Sequence, residues 1–392
     1  MGTIYNIAKE YATTGTTTDP YLHTFPNNVM ITSIYNVLLV IFNKIGAKDL
    51  LTVATVFNSL LVAVSGILLY YNTKKMFDED KALMVLFITV MTTPLYLYSA
   101  SYYSDTFSMF LTMILLNLYL RIEEKDNLKS TIIWQVLFAI SMVIGIKMKI
   151  TCTFIIIAIC VYKILNLQIN IKNIIKKFGI SIILTGMLFI LYNVFINPIY
   201  ITNEEYTEAY KIPTEHWIMM GLNGRGNFSY EEYHYTQSFP TYKERQDATR
   251  KEIIERITRM YQENTLFKHI IGKLGFAWYD GSYYAPDVLR REPVKKRYLH
   301  EFVLEAGSKT AIYKYWPQCM HFGMLIFMCF NVYRVLKERN YLAKDNILFI
   351  TIYGLLVFLL IWENRSRYLI TNLPIIMMSQ LGGIEYIANR KE

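Results

Sequence analysis

The sequence predicts an all-α polytopic membrane protein, a bundle of about nine transmembrane helices carrying an α-rich extracytoplasmic domain. Three observations predict it. Apolar runs close to the roughly 20 residues that cross a hydrocarbon layer recur along the chain. Of its 392 residues, 53% are hydrophobic and only 18% charged. The net charge of +9 is also unevenly placed: the polar block 198–314 holds 17 Lys/Arg against 16 Asp/Glu, so the excess lies almost wholly in short connections. That pattern follows the positive-inside rule, and it argues against nucleic acid as a partner.

Four segments follow. Residues 1–49 form an outer segment with interfacial or juxtamembrane helices: an amphipathic piece at Ile4–Tyr11, then Val29–Ile45, which is apolar but interrupted by Ser33, Asn36 and Asn43. Residues 50–197 make a transmembrane bundle with spans expected at 50–72, 82–98, 105–121, 131–146, 150–165 and 178–197. Residues 198–314 form the extracytoplasmic domain. Within it, Ile253, Ile254, Ile257 and Met260 recur at helical spacing amid charges, which predicts a packed amphipathic helix over 242–265. Residues 315–392 add spans at 315–336, 345–363 and 368–386 and a cytoplasmic tail.

Sidedness rests on the loops. The connections 73–81, 121–130, 163–177 and 334–345 and the tail 387–392 carry 16 Lys/Arg, against four in 99–104, 147–149 and 364–367. The first set is therefore expected in the cytoplasm, provided Val29–Ile45 does not cross. The four cysteines, Cys152, Cys160, Cys319 and Cys329, all stand in apolar runs and read as small core residues, not as a disulfide framework. The six histidines show no ligand spacing, so no metal is assigned.

Three tight connections on the expected outer side carry ionisable groups. In Ser101–Thr106, Asp105 stands at membrane depth, where it either caps a helix starting at Thr106 or serves chemistry. Lys147 and Lys149 run against the charge trend: they snorkel to lipid phosphates, or they form a fixed site for a phosphate-bearing lipid. Glu363, Arg365, Arg367 and Tyr368 make the third set. Arginine forks suit phosphate oxygens, although a Glu363–Arg367 ion pair pinning the loop is the plainer reading. Together they place one acid and several cations at one membrane level, a layout suited to an anionic lipid.

The order of Phe25-Pro26-Asn27-Asn28, Tyr103-Ser104-Asp105, Lys149-Ile150-Thr151, Met220-Gly221-Leu222 with Gly226, Trp278-Tyr279-Asp280-Gly281 and Glu363–Tyr368 resembles the bacterial polytopic glycosyltransferases of the GT-C superfamily. These are relatives of the protein O-mannosyltransferases and the aminoarabinose transferase. The resemblance covers nearly the whole chain. It implies transfer of a sugar from a polyprenyl-phosphate-linked donor, on the outer face, to a glycan, lipid or protein acceptor.

The family's base is a loop aspartate whose counterpart is expected upstream of Met1, so Asp105 is the best remaining catalytic carboxylate in this sequence, with Glu363 and Asp19 as fallbacks. Lys147, Lys149, Arg365, Arg367 and Tyr368 would hold the donor phosphate. Asn27, Asn28, Trp217, Trp278, Tyr279 and Asp280 would hold the acceptor or sugar, although core packing is the commoner role of such aromatics. No cofactor is expected, and divalent-metal dependence stays open. Two departures stand out. Lys149 is followed by Ile150 where proline is common, and the family's first span and its loop aspartate are expected upstream of Met1. A non-catalytic glycan-lipid transporter or accessory subunit, and a polysaccharide polymerase or ligase, are the competing readings; the absence of charges in mid-span weighs against a transporter.

Overall fold

The structure, a computed structural model, describes residues 2–17, 19–125, 127–165, 170–289, 295–340 and 343–389. Arg390 and Lys391 of the expected basic tail lie outside the described residues. Among those described, every regular element is helical. In chain order the main helices are α1 (Gly2–Thr14), α2 (Val29–Lys44), α3 (Leu50–Met76), α4 (Glu79–Met91), α5 (Pro94–Ser99), α6 (Ser104–Glu123), α7 (Leu128–Met148), α8 (Phe154–Leu165) and α9 (Ile171–Leu191). They continue with α10 (Thr214–Gly221), α11 (Tyr230–Gln237), α12 (Tyr242–Gln262), α13 (Leu266–Trp278), α14 (Thr310–Lys337), α15 (Asp345–Ile361), α16 (Leu373–Ser379) and α17 (Leu381–Ala388).

Among the described residues, five helical runs are long and apolar enough to cross a membrane: Leu50–Met76, Ser104–Glu123, Lys129–Met148, Ile171–Tyr200 and Thr310–Lys337. Ile150–Leu165 and Asp345–Ile361 are apolar but shorter. The chain is thus an all-helical polytopic membrane protein. Two expected spans are interrupted. The run 82–98 breaks between α4 and α5, where Pro94 has no N–H to continue the ladder. The run 368–386 passes from a 3₁₀ stretch, Ser366–Asn372, into α16 and then α17. The cysteines also differ from expectation. Cys152 is buried, but Cys160, Cys319 and Cys329 lie on exposed helix surfaces, which in an apolar run is a lipid-compatible position for a weakly polar thiol.

The chain divides into two compact units. The first comprises residues 1–51, 192–280 and 355–369. In it α1 packs on α2 and buries Ile4, Ile7 and Ala8, the i, i+3, i+4 stripe that the sequence spacing predicts. Helix α12 begins with a complete capping box, Thr241 with Glu244. Its packed face is not the expected one. Ile254 and Ile257 are 66% and 42% exposed, whereas Arg245 and Thr249 are buried. Polar anchoring decides the orientation: Arg245 donates to the carbonyl of Ala209 at 2.5 Å, and Arg256 donates to Glu252 at 2.7 Å, Glu232 at 3.0 Å and the Met219 carbonyl at 3.0 Å. On α10, His216 is fully buried, with Nδ1 2.7 Å from Thr236 Oγ1 and its ring 5.0 Å from that of Trp217.

The second unit comprises residues 52–191, 281–354 and 370–392. Helix α6 is the most enclosed of its long apolar helices among the described residues, packing on α7, which in turn packs on α9. Helix α14 packs closely on α17 because Gly382 and Gly383 stand at the crossing: a Cβ at Gly383 would strike the Phe327 carbonyl. Small residues commonly permit such close approach between apolar helices. Beside the crossing Arg334 donates to Asp345 at 2.8 Å, and Asn331 donates to Asp345 at 3.0 Å and to the Ser379 carbonyl at 2.7 Å.

Two expectations can be measured. Burial pushes His216 down from its usual 6.5 to about 4, so the fold favours the neutral ring. The stabilisation is complete above pH 6.5 and is lost as pH falls from 6.5 towards about 4, because there the unfolded chain binds the extra proton. The denaturant midpoint of the full chain, followed by tryptophan fluorescence, should fall over that window, and His216→Gln should flatten the fall. Gly383→Ala should force α17 off α14 at a cost of about 1–3 kcal/mol, read as a drop of several degrees in the thermal midpoint of the detergent-solubilised chain.

Candidate functional site

In the second unit, the site is built from the end of α7 and the start of α6. Helix α6 starts at Ser104, with extended Tyr103 preceding it, so Asp105 lies in the first turn, not at the cap position. Its carboxylate still meets the positive end of the helix dipole. Helix α7 ends at Met148, and Lys149 is extended (φ −163°, ψ 106°) before a 3₁₀ turn, Ile150–Thr153. Gly145 lets that turn fold back, since a Cβ there would lie 2.7 Å from Cys152 Sγ. The Lys149 N–H donates to the Gly145 carbonyl at 2.8 Å. The chain reversal carries the Lys149 ammonium to Asp105, where it donates to Oδ1 at 2.5 Å.

This pair is deeply enclosed, with side-chain exposures of 18% for Lys149 and 5% for Asp105. Ser108, one turn along α6, and Thr112 continue the Asp105 face, and Thr112 donates to the Cys152 carbonyl at 3.5 Å. Asn372 donates from Nδ2 to the Thr151 carbonyl at 3.2 Å. Among the described residues, the buried oxygens Ser108 Oγ, Thr151 Oγ1, Thr371 Oγ1 and Asn372 Oδ1 have no hydrogen-bond partner in the protein. A buried polar atom left unsatisfied costs about 1–3 kcal/mol, and of these Ser108 follows Asp105 on α6 while Thr151 lies in the turn that carries Lys149. Lys147 is directed elsewhere: its amine lies 3.9 Å from the centre of the Phe189 ring.

The first unit holds the arginine segment. Glu363, Asn364 and Ser366 are buried, while Arg365, Arg367 and Tyr368 are half-buried. The Asn364 N–H donates to the Gly226 carbonyl at 2.7 Å, and its Nδ2 donates to the Lys273 carbonyl at 2.6 Å. Ser366 Oγ donates to Asp280 at 2.9 Å, which ties two sequence-predicted pieces together. Arg367 also lies over the Tyr368 ring, 5.3 Å from its centre. Beneath the segment sits Lys273, 1% exposed, whose amine donates to the carbonyls of Leu360 and Trp362, both at 2.8 Å. Burial pushes its amine down to about 8, against the opposing pull of Glu363.

The remaining predicted residues are less coherent. Asn28 donates to the Tyr21 hydroxyl at 3.0 Å, while Asn27 is exposed. Trp217 belongs to an aromatic cluster around Phe25, 6.3 Å away, with Tyr233 stacked on the same ring at 6.2 Å. Tyr279 is exposed and stacks on Phe276 at 5.8 Å, and Trp278 is half-buried at the end of α13. Asp19 accepts from the Tyr21 N–H at 2.9 Å, as a local turn cap. Sequence reasoning missed Lys273, Ser108 and Asn372, and gave Thr151 no role beyond its place in the Lys149-Ile150-Thr151 motif. The available signal for Lys273 was its i, i+4 spacing to the small residue Ala277 in an apolar helix; both are buried.

No curated protein compared with the chain matches it. A family model does match, over residues 4–385. Over nearly its whole length, then, the chain is a member of the family of conserved hypothetical integral membrane proteins.

Proposed function

We propose that the protein is a membrane glycosyltransferase that moves a sugar from a polyprenyl-phosphate-linked donor to a hydroxyl of a glycan, lipid or protein acceptor on the extracytoplasmic face. The observation that carries this reading is the enclosed Asp105–Lys149 pair beside buried hydroxyl and amide oxygens that the protein itself does not satisfy. A carboxylate and an ammonium at 2.5 Å neutralise each other at rest. An arriving phosphate competes for the ammonium and releases the carboxylate to act as a base.

The chemistry then balances with these groups. Asp105 takes the proton of the acceptor hydroxyl, and the acceptor oxygen bonds to the anomeric carbon. The bond from that carbon to the phosphate oxygen breaks, and its electron pair leaves with the lipid phosphate, whose charge Lys149 stabilises. General-base catalysis of this kind contributes about 10²–10⁴-fold, and the loss of one electrostatic contact to developing charge costs about 10²-fold or more. In the first unit, and taken by themselves, Arg365 and Arg367 on their anchored segment are assigned binding of an anionic lipid phosphate, for which their planar forks are suited. Ser108, Thr151 and Asn372 are assigned hydrogen bonds to sugar hydroxyls.

The test is transfer of labelled sugar from polyprenyl-phosphate donors in membranes containing the chain. Asp105→Asn and Lys149→Ala should each lower transfer by about 10²-fold or more. Breaking one partner of a buried pair also destabilises, by about 3–5 kcal/mol, whereas replacing both by apolar residues is often neutral. The double variant Asp105→Leu with Lys149→Met therefore separates the two roles: it should recover the thermal midpoint and remain inactive. Recovery of transfer along with stability would show the pair to be structural and sink the reading.

A further inference from the structure

Lys273 is the most enclosed lysine of the polar block, and its two acceptors are the carbonyls of Leu360 and Trp362 at the end of α15. Capping a helix C-terminus with a cation is by itself ordinary. The surroundings go further than a cap requires. The carbonyls of Ile361 and Trp362 approach so closely that a Cβ at Gly221 would lie 2.8 Å from each and 2.9 Å from the Lys273 amine. A Cβ at Gly226, whose φ is +78°, would lie 2.8 Å from Lys273 Cε. Gly221 at the end of α10 and Gly226 in the turn after it thus make room for one lysine stem.

The segment leaving this cap is held at successive points. Lys273 receives Asn364 on its own carbonyl at 2.6 Å, Gly226 receives the Asn364 N–H at 2.7 Å, and Asp280 receives Ser366 at 2.9 Å. Buried anchors at 364 and 366 alternate with the half-buried Arg365 and Arg367. Anchors that fix the chain at 364 and 366 hold the backbone on either side of Arg365 and just before Arg367, the arrangement of a preorganised segment.

We propose that Lys273 is a positioning residue, whose buried amine fixes the course of residues 362–367 and so presents Arg365 and Arg367 to the phosphate of an anionic lipid. This rests on the phosphate reading of the two arginines given above. The depressed affinity of the amine for its proton agrees with a cation held for its geometry in an apolar setting.

The probe is polyprenyl phosphate without sugar, titrated into the detergent-solubilised full chain. Lys273→Met keeps the stem and removes the donors, and should weaken binding roughly tenfold or more. Arg245→Met is the structural control. Arg245 is likewise 1% exposed and donates to the Ala209 and Phe239 carbonyls, away from the arginine segment. It should lower the thermal midpoint and leave the affinity within twofold of the parent.

Equal loss of affinity in both variants would make Lys273 merely structural, and unchanged affinity in Lys273→Met would overturn the proposal outright. Arg367→Ala keeps the two failures apart. If it too leaves binding intact, the phosphate reading falls; if it alone weakens binding, only the role of Lys273 falls. Should Lys273→Met fail to fold, Gly221→Ala displaces the same clamp and is judged by the same affinities. The parent chain supplies an independent readout. Its backbone amides over residues 363–367 should exchange with solvent deuterium as slowly as those of α15, and rapid exchange there would refute a clamped segment.

Discussion

Backbone N–H and C=O groups in an apolar setting must find partners inside the protein, and the structure is arranged around meeting that demand wherever a helix stops. Each interruption among the described residues discussed above is joined by a side-chain donor. Trp316 donates to the Met91 carbonyl at 2.9 Å, where α4 ends, and Asn58 to the Tyr98 and Ser99 carbonyls at 2.9 and 2.7 Å, where α5 ends. Asn372 serves the turn after α7, Asn331 the end of α16, and Lys273 the end of α15. The sites with chemical potential are found at these same joints. An apolar helix interior has little room for irregular backbone, so the groups discussed above converge where the ladder has already been opened.

This explains which parts of the molecule can be read from its sequence. Apolar runs locate the long helices directly, since crossing length is a property of composition. Helix α12 starts at Tyr242, where the helical spacing predicts it, and its capping box at Thr241 and Glu244 is likewise a local pattern. The facing of α12 was not legible, because the winning contacts of Arg245 and Arg256 include backbone carbonyls of Ala209 and Met219, which leave no trace in residue identity. Lys273 escaped notice for the same reason. Asp105 was legible as an unusual acid, but its partner depends on a chain reversal that needs Gly145, and its place inside the first turn depends on where α6 begins, a boundary that patterns locate only to a residue or two. The three cysteines on exposed surfaces show the limit of composition: in an apolar environment, facing outward and facing the core favour the same residue types.

Two ion pairs of the second unit, Asp105–Lys149 and Arg334–Asp345, differ in their surroundings, and the contrast argues for different roles. Around Arg334 and Asp345 the hydrogen bonds close on themselves. Asn331 receives Arg334 on its oxygen at 2.9 and 3.0 Å, and passes its own amide protons to Asp345 and the Ser379 carbonyl. Each of those partners serves another, so the network fastens α14 to α16 and to the start of α15, and fully satisfied networks of this kind rigidify and specify a fold. Asp105 and Lys149 have an ion pair of similar length but stand beside a helix face and a turn where Ser108, Thr151 and Asn372 each keep an oxygen that the protein does not satisfy. A structural pair has no use for such oxygens, because each lowers stability without fastening anything. A binding site does, since the cost incurred in the empty protein is recovered when a ligand rich in hydroxyl and phosphate groups supplies the missing partners. The unsatisfied oxygens beside Asp105 and Lys149 are thus the physical ground for the proposal that places the chemistry there and leaves the Arg334 cluster to the fold.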